Sequence, residues 1–103
     1  MSKSIRADIW DLLNTDTNAI RRKSGLAIAY KPPWDGNWFT LTLSAKTTGL
    51  APDGYQIAGV QNAVMQVCKN AEPFKVTKSV VQPQTKFKDN HIRRIRFYVR
   101  GEI

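Results

Sequence analysis

Residues 94–100 read RIRFYVR, and they alternate without a break: Ile95, Phe97 and Val99 interleave with Arg94, Arg96, Tyr98 and Arg100. A side-chain period of two is the signature of a strand, with one set on each face. One face is built for a core, and the other carries three arginines and a tyrosine. The stretch NWFTLTLSA, residues 37–45, repeats the pattern, with Phe39, Leu41 and Leu43 opposed to Trp38, Thr40, Thr42 and Ser44. Threonine on the polar face suits a half-buried strand. Both runs therefore call for a sheet with one face covered.

The remaining segments supply the cover. Ile5, Ile9, Leu12 and Leu13 recur at helical spacing, with Ser4 placed to cap the start and NTDTN at 14–18 to break the helix. Asp16 or Thr17 is placed to cap a second short helical turn through AIRRKS, which Gly25 ends. LAIAYK, residues 26–31, reads as a strand stopped by Pro32 and Pro33, and WDGN at 34–37 carries the strongest hairpin signal in the chain. Residues 46–59, punctuated by Gly49, Pro52 and Gly54, read as a long connection. From Val60 the apolar positions turn helical through Ala71, before Glu72 and Pro73, with a strand through AVMQVCK as the competing reading. In FKVTKSVV the alternation puts Phe74, Val76 and Val80 opposite Lys75, Thr77 and Ser79, and TKFKDNH leads through an Asp89–Asn90 turn into the last strand. The order predicts an α+β domain spanning residues 1–103, with an antiparallel sheet of four to five strands and one to three helices on one face. At this length a chain buries about two-thirds of its unfolded surface and needs no staples.

Charge narrows the function. Sixteen Lys and Arg against eight Asp and Glu give +8, and residues 21–31 carry +4 of it and residues 69–103 carry +6, against −1 in each of the other two stretches. A basic surplus gathered in this way asks for an acidic partner such as nucleic acid. Cys68 is the only cysteine, which excludes an internal disulfide and a thiolate-cage zinc site and suits a reducing compartment. The N-terminal stretch has no uninterrupted apolar run, and the longest such run, LAIAY, is far short of the ~20 residues of a membrane span. The expectation is a cytoplasmic protein with no membrane partner.

Catalytic chemistry finds little purchase. His91 is the sole histidine, and it sits beside the proposed turn. Cys68 falls on the apolar stripe, where a thiol behaves as a small hydrophobe. Asp35, Asp53 and Asp89 are explained by turns, and the glycines never take GxGxxG or GxxxxGK spacing. No cofactor and no metal site is expected, and the reading is not an enzyme. The one enzymatic alternative is a metal-free ribonuclease using Arg, Lys, Tyr or His91.

The residues that stand out are basic and aromatic. Arg94, Arg96, Tyr98 and Arg100 step along one strand face at about 6.6–6.8 Å intervals, a spacing that tracks phosphates. Lys86 and Lys88 join that face if TKFK pairs with the last strand, and Arg21, Arg22, Lys23 and Lys31 form a second cluster. Trp34 and Trp38 flank the hairpin tip as candidate stacking groups; by parity with Phe39, Trp38 faces outward, and Trp10 belongs to the core. Arginines on a strand face also serve as an edge defence against aggregation, but residues 90–101 hold no acid to offset them. No RNP1 order, GxxG loop, zinc-finger, helix-turn-helix or basic-zipper signature is present. The sequence thus points to a small nucleic-acid-binding protein, with single strands favoured over duplex. The alternative is an adaptor or inhibitor docking an acidic protein partner, and a homodimer through a strand edge is compatible with either.

Overall fold

Ile9 and Leu13 lie one helical turn apart, and both are fully buried in the computed structural model, which describes residues 5–15, 19–30, 34–47, 49–69 and 75–100. They anchor α1 (Ile5–Leu13), whose end is closed by Asn14 Nδ2 donating to the Trp10 carbonyl at 2.8 Å. Ala19 and Gly25, both in the left-handed region at φ 40° and 70°, bracket the single turn of α2 (Ile20–Ser24). Gly25 ends that helix as expected, because glycine takes this conformation at no steric cost. The expected caps at Ser4, Asp16 and Thr17 lie outside the described residues.

The third helix starts earlier than its periodicity suggests. α3 spans Gly54–Cys68, so the expected connection over 46–59 ends at Asp53, and the strand reading of AVMQVCK is overturned. Asp53 is the N-cap and not a turn residue. Its carboxylate accepts from the Gln56 N–H at 2.7 Å, and Gln56 Oε1 accepts from the Asp53 N–H at 3.1 Å. This capping box satisfies two donors that a helix start otherwise leaves bare. Ile57, Val60, Val64 and Cys68 then form the buried stripe. Asp53→Ala is expected to lower the unfolding free energy by about 1 kcal/mol in urea titration, with Asp53→Asn retaining most of it.

Four strands form the sheet in the order β1-β2-β5-β3, namely β1 (Leu26–Tyr30), β2 (Trp38–Ala45), β5 (Asn90–Val99) and β3 (Val76–Val81), and the three-residue β4 (Thr85–Phe87) pairs with the start of β5. Every pairing is antiparallel. β2 and β3 therefore run parallel to each other on either side of β5, with α3 as their crossover, which is a split βαβ unit. The fold is α+β, with a five-stranded antiparallel sheet and three helices among the described residues.

Register decides which side chains meet. Phe39 opposes Phe97 and Leu41 opposes Ile95, and all four are buried on the helix side with Leu26, Ile28, Val76 and Val99. β3 departs from the simple alternation. A bulge between Val76 and Lys78 resets the parity, so Ser79 turns toward α3 and accepts from Gln61 Nε2 at 3.0 Å. Val80 is sent to the open face and is 49% exposed.

The β2 hairpin tip is a two-residue turn at Gly36 and Asn37, closed by Asp35 and Trp38 exchanging both backbone hydrogen bonds at 3.0 and 2.9 Å. Gly36 supplies the positive φ of 60° at the first central position. Asn37 Nδ2 donates to the Val99 carbonyl at 2.8 Å, and the Asn37 carbonyl accepts from the Val99 N–H at 2.9 Å, which ties the tip to the end of β5. One core cluster runs beneath the sheet. No described helix is long and apolar enough to cross a membrane.

Candidate functional site

Even-numbered residues of β2 and β5, with Lys78 and Val80 of β3, share the face away from the helices. Across it, Trp38 pairs with Tyr98 and Tyr98 with Lys78; one step along, Thr40 pairs with Arg96 and Arg96 with Val80; next, Thr42 pairs with Arg94. The Trp38 and Tyr98 rings meet edge to face with centroids 5.2 Å apart. Lys78 Nζ stands 5.5 Å from the centre of the Tyr98 ring, and the Arg96 guanidinium stands 4.9 Å from the Trp38 ring. Each aromatic thus has a cation over it, an arrangement that holds long side chains in place at modest gain. Arg94 Nη1 donates to Thr85 Oγ1 at 3.3 Å.

β5 lies inside the sheet, paired along both sides, so its arginines are not an edge device. Arg96 does have an acidic neighbour: its Nη2 lies 2.9 Å from Asp35 Oδ2, in a pair whose acid is 87% exposed. Exposed pairs of this kind are worth about 0–1 kcal/mol. Arg100 follows β5, is exposed, and has its N–H held by the Lys75 carbonyl at 2.9 Å.

Several expected site residues fall elsewhere. TKFK does pair with the last strand, but Lys86 opposes His91, so the register puts it on the other side of the sheet from Arg94 and Arg96. Lys88 occupies the tight turn before Asn90, with a left-handed φ of 56°. Trp34 is 7% exposed and packs against Phe39 at 5.1 Å, with its indole N–H donating to the Tyr30 hydroxyl; it closes the core and is not a surface stacking group. Trp38 does face outward. Arg21, Arg22 and Lys23 lie on α2 in the helical layer, and the Arg21 guanidinium sits over Trp10, which itself stacks on Tyr30. The two basic clusters are therefore separated by the sheet. Lys31 lies outside the described residues.

Lys78 and Asp35 belong to this surface and were not anticipated. Strict alternation groups Lys78 with Val76 and Val80, and only the bulge exposes it beside Tyr98. Asp35 looked complete as a turn residue.

His91 Nδ1 lies 3.4 Å from Gln84 Nε2, and no group of three or more His, Cys, Asp or Glu able to hold a metal occurs among the described residues. Cys68 is fully buried, and burial pushes its thiol up to about 11. No family model, no curated protein and no solved structure matches this chain.

Proposed function

We propose that this chain binds single-stranded nucleic acid on the open face of its sheet. The observation that carries the reading is the adjacency of Trp38, Tyr98, Arg96 and Lys78 on a face that packs against no described helix. Arg94, Arg96, Arg100 and Lys78 are the phosphate contacts, and Trp38 and Tyr98 offer ring surface to bases. Stacking of this type is worth about 1–3 kcal/mol per base and tolerates any sequence. A single strand suits the site better than a duplex, because α3 contains no charged residue with which to read a groove. Asp35 is displaceable, since a phosphate offers Arg96 more than an exposed carboxylate does.

The test is a labelled single-stranded oligonucleotide titrated across a salt series. With four phosphates neutralised, log K should fall against log salt with a slope of about −2.8. Tyr98→Ala should weaken binding about tenfold, and Arg96→Ala should also flatten the slope by about 0.7. Asp35→Asn should tighten binding about two- to threefold by releasing Arg96. Absence of binding at low salt, or indifference to Arg96→Ala and Tyr98→Ala, overturns the proposal.

A further inference from the structure

The basic cluster left over by that face lies beside an undefended strand edge. β1 ends the strand order, and its pairing with β2 runs unbroken from Leu26 to Tyr30. Nothing within it discourages a further strand: it holds no lysine, no proline and no bulge. The opposite edge has all the usual obstacles, with the Val76/Lys78 bulge, the charge of Lys78 and a β4 of three residues.

The backbone of β1 is also turned the right way. The Leu26 N–H donates to Ser24 Oγ at 3.1 Å, and so points away from β2. In an antiparallel pair such groups alternate, so the N–H and C=O of Ile28 face the same open side. Ala27 and Ala29 are exposed and small, which lets a neighbouring strand close in. At the Leu26 end an open cavity of about 470 Å³ is lined by Asn14, Ala19, Arg21, Arg22, Leu26, Ala27 and Lys46, with no acid among the described lining residues.

We infer that β1 is the docking edge for an extended, acidic peptide segment, which adds an outer strand beside β1 and sets its carboxylates among Arg21, Arg22 and Lys46. Main-chain hydrogen bonds give such additions their affinity and side chains their selectivity. A second copy of this chain is the poorer occupant, since each copy brings +8 and the same cations to the contact. Nucleic acid is poorer too, because phosphates cannot answer outward-facing carbonyls. This site is independent of the open face of the sheet.

The experiment uses the full chain and a fluorescein-labelled peptide of about ten residues in which Glu alternates with Val and Thr, followed by anisotropy. The peptide should bind in the micromolar range and protect the Ile28 amide from hydrogen exchange. Lys46→Glu, at an exposed position, should weaken it about tenfold. N-methylation of alternate peptide amides should abolish binding. Arg96→Ala should leave peptide binding unchanged, which separates this proposal from the oligonucleotide result. The inference fails if the peptide does not bind at low salt, or if the N-methylated peptide binds equally well. It also fails if Lys46→Glu instead abolishes binding of a single-stranded oligonucleotide, or if ultracentrifugation shows a dimer that occupies β1.

Discussion

Phe97→Ala lowers the unfolding free energy by about 3–5 kcal/mol in a urea titration, the expected cost of emptying a large aromatic site in a tight core. Phe97 is fully buried at the centre of the sheet, and its ring stacks on Phe39 with centroids 5.2 Å apart. Phe39 in turn touches Trp34 and Tyr30, so the vacancy opens in the middle of a continuous aromatic cluster. Small domains hold only about 5–15 kcal/mol in total, so this one change removes a large share of it. The neighbouring Tyr98→Ala is the matched control. Its ring meets Trp38 and Lys78 on the open face, and its loss should cost only about 1 kcal/mol. A Tyr98→Ala variant less stable than Phe97→Ala would show that the two faces of β5 are reversed.

Cys68 should impose a loss of stability at alkaline pH. Burial pushes its thiol up to about 11, above the roughly 8.5 of an unfolded chain. Below the unfolded value the thiol is protonated in both states and its contribution is whole. Between the two values only the unfolded chain ionises, which favours unfolding, and the contribution is gone once pH passes the folded value. The stability difference between wild type and Cys68→Ala should therefore shrink by about 2–3 kcal/mol on going from about pH 8 to about pH 11. Urea titrations of the pair at each pH measure it, and the other titrating groups cancel in the comparison. A difference that stays flat with pH means that the thiolate reaches water in the folded protein.

The strands with unbroken alternation were the most legible part of the chain. β2 and β5 could be assigned by face from sequence because nothing interrupts their period, and Ile95, Phe97 and Val99 are buried as that pattern requires. β3 was misread at a single residue. A bulge adds one position to the count without any marker in composition, and everything beyond it changes face, so Lys78 was lost from the candidate surface. The start of α3 was missed for a different reason. Asp-Gly carries turn chemistry and cap chemistry alike, and only Gln56 three residues on separates them. Lys86 shows the limit of pattern reading. That TKFK would pair with β5 was readable, but the residue facing Lys86 depends on how many residues the turn consumes. Trp34 depended on the fold as well, since only the packed core shows a site for its ring beside Phe39.

The order of strands in space differs from their order in the chain, and this matters during synthesis. β5 is the last of the described strands to be made, yet it lies between β2 and β3. About fifty residues separate the end of β2 from the middle of β5, which at ~5–20 residues per second is a delay of several seconds. Throughout it the nascent hairpin of β1 and β2 presents Phe39, Leu41 and Leu43 with no Ile95 or Phe97 to meet them, and the inner edge of β2 stays unpaired. The sheet closes only when the arginine-bearing strand slots into the gap. A ribosome stalled before residue 90 would therefore hold a chain with its core seam open, the state in which a holdase chaperone has most to grip.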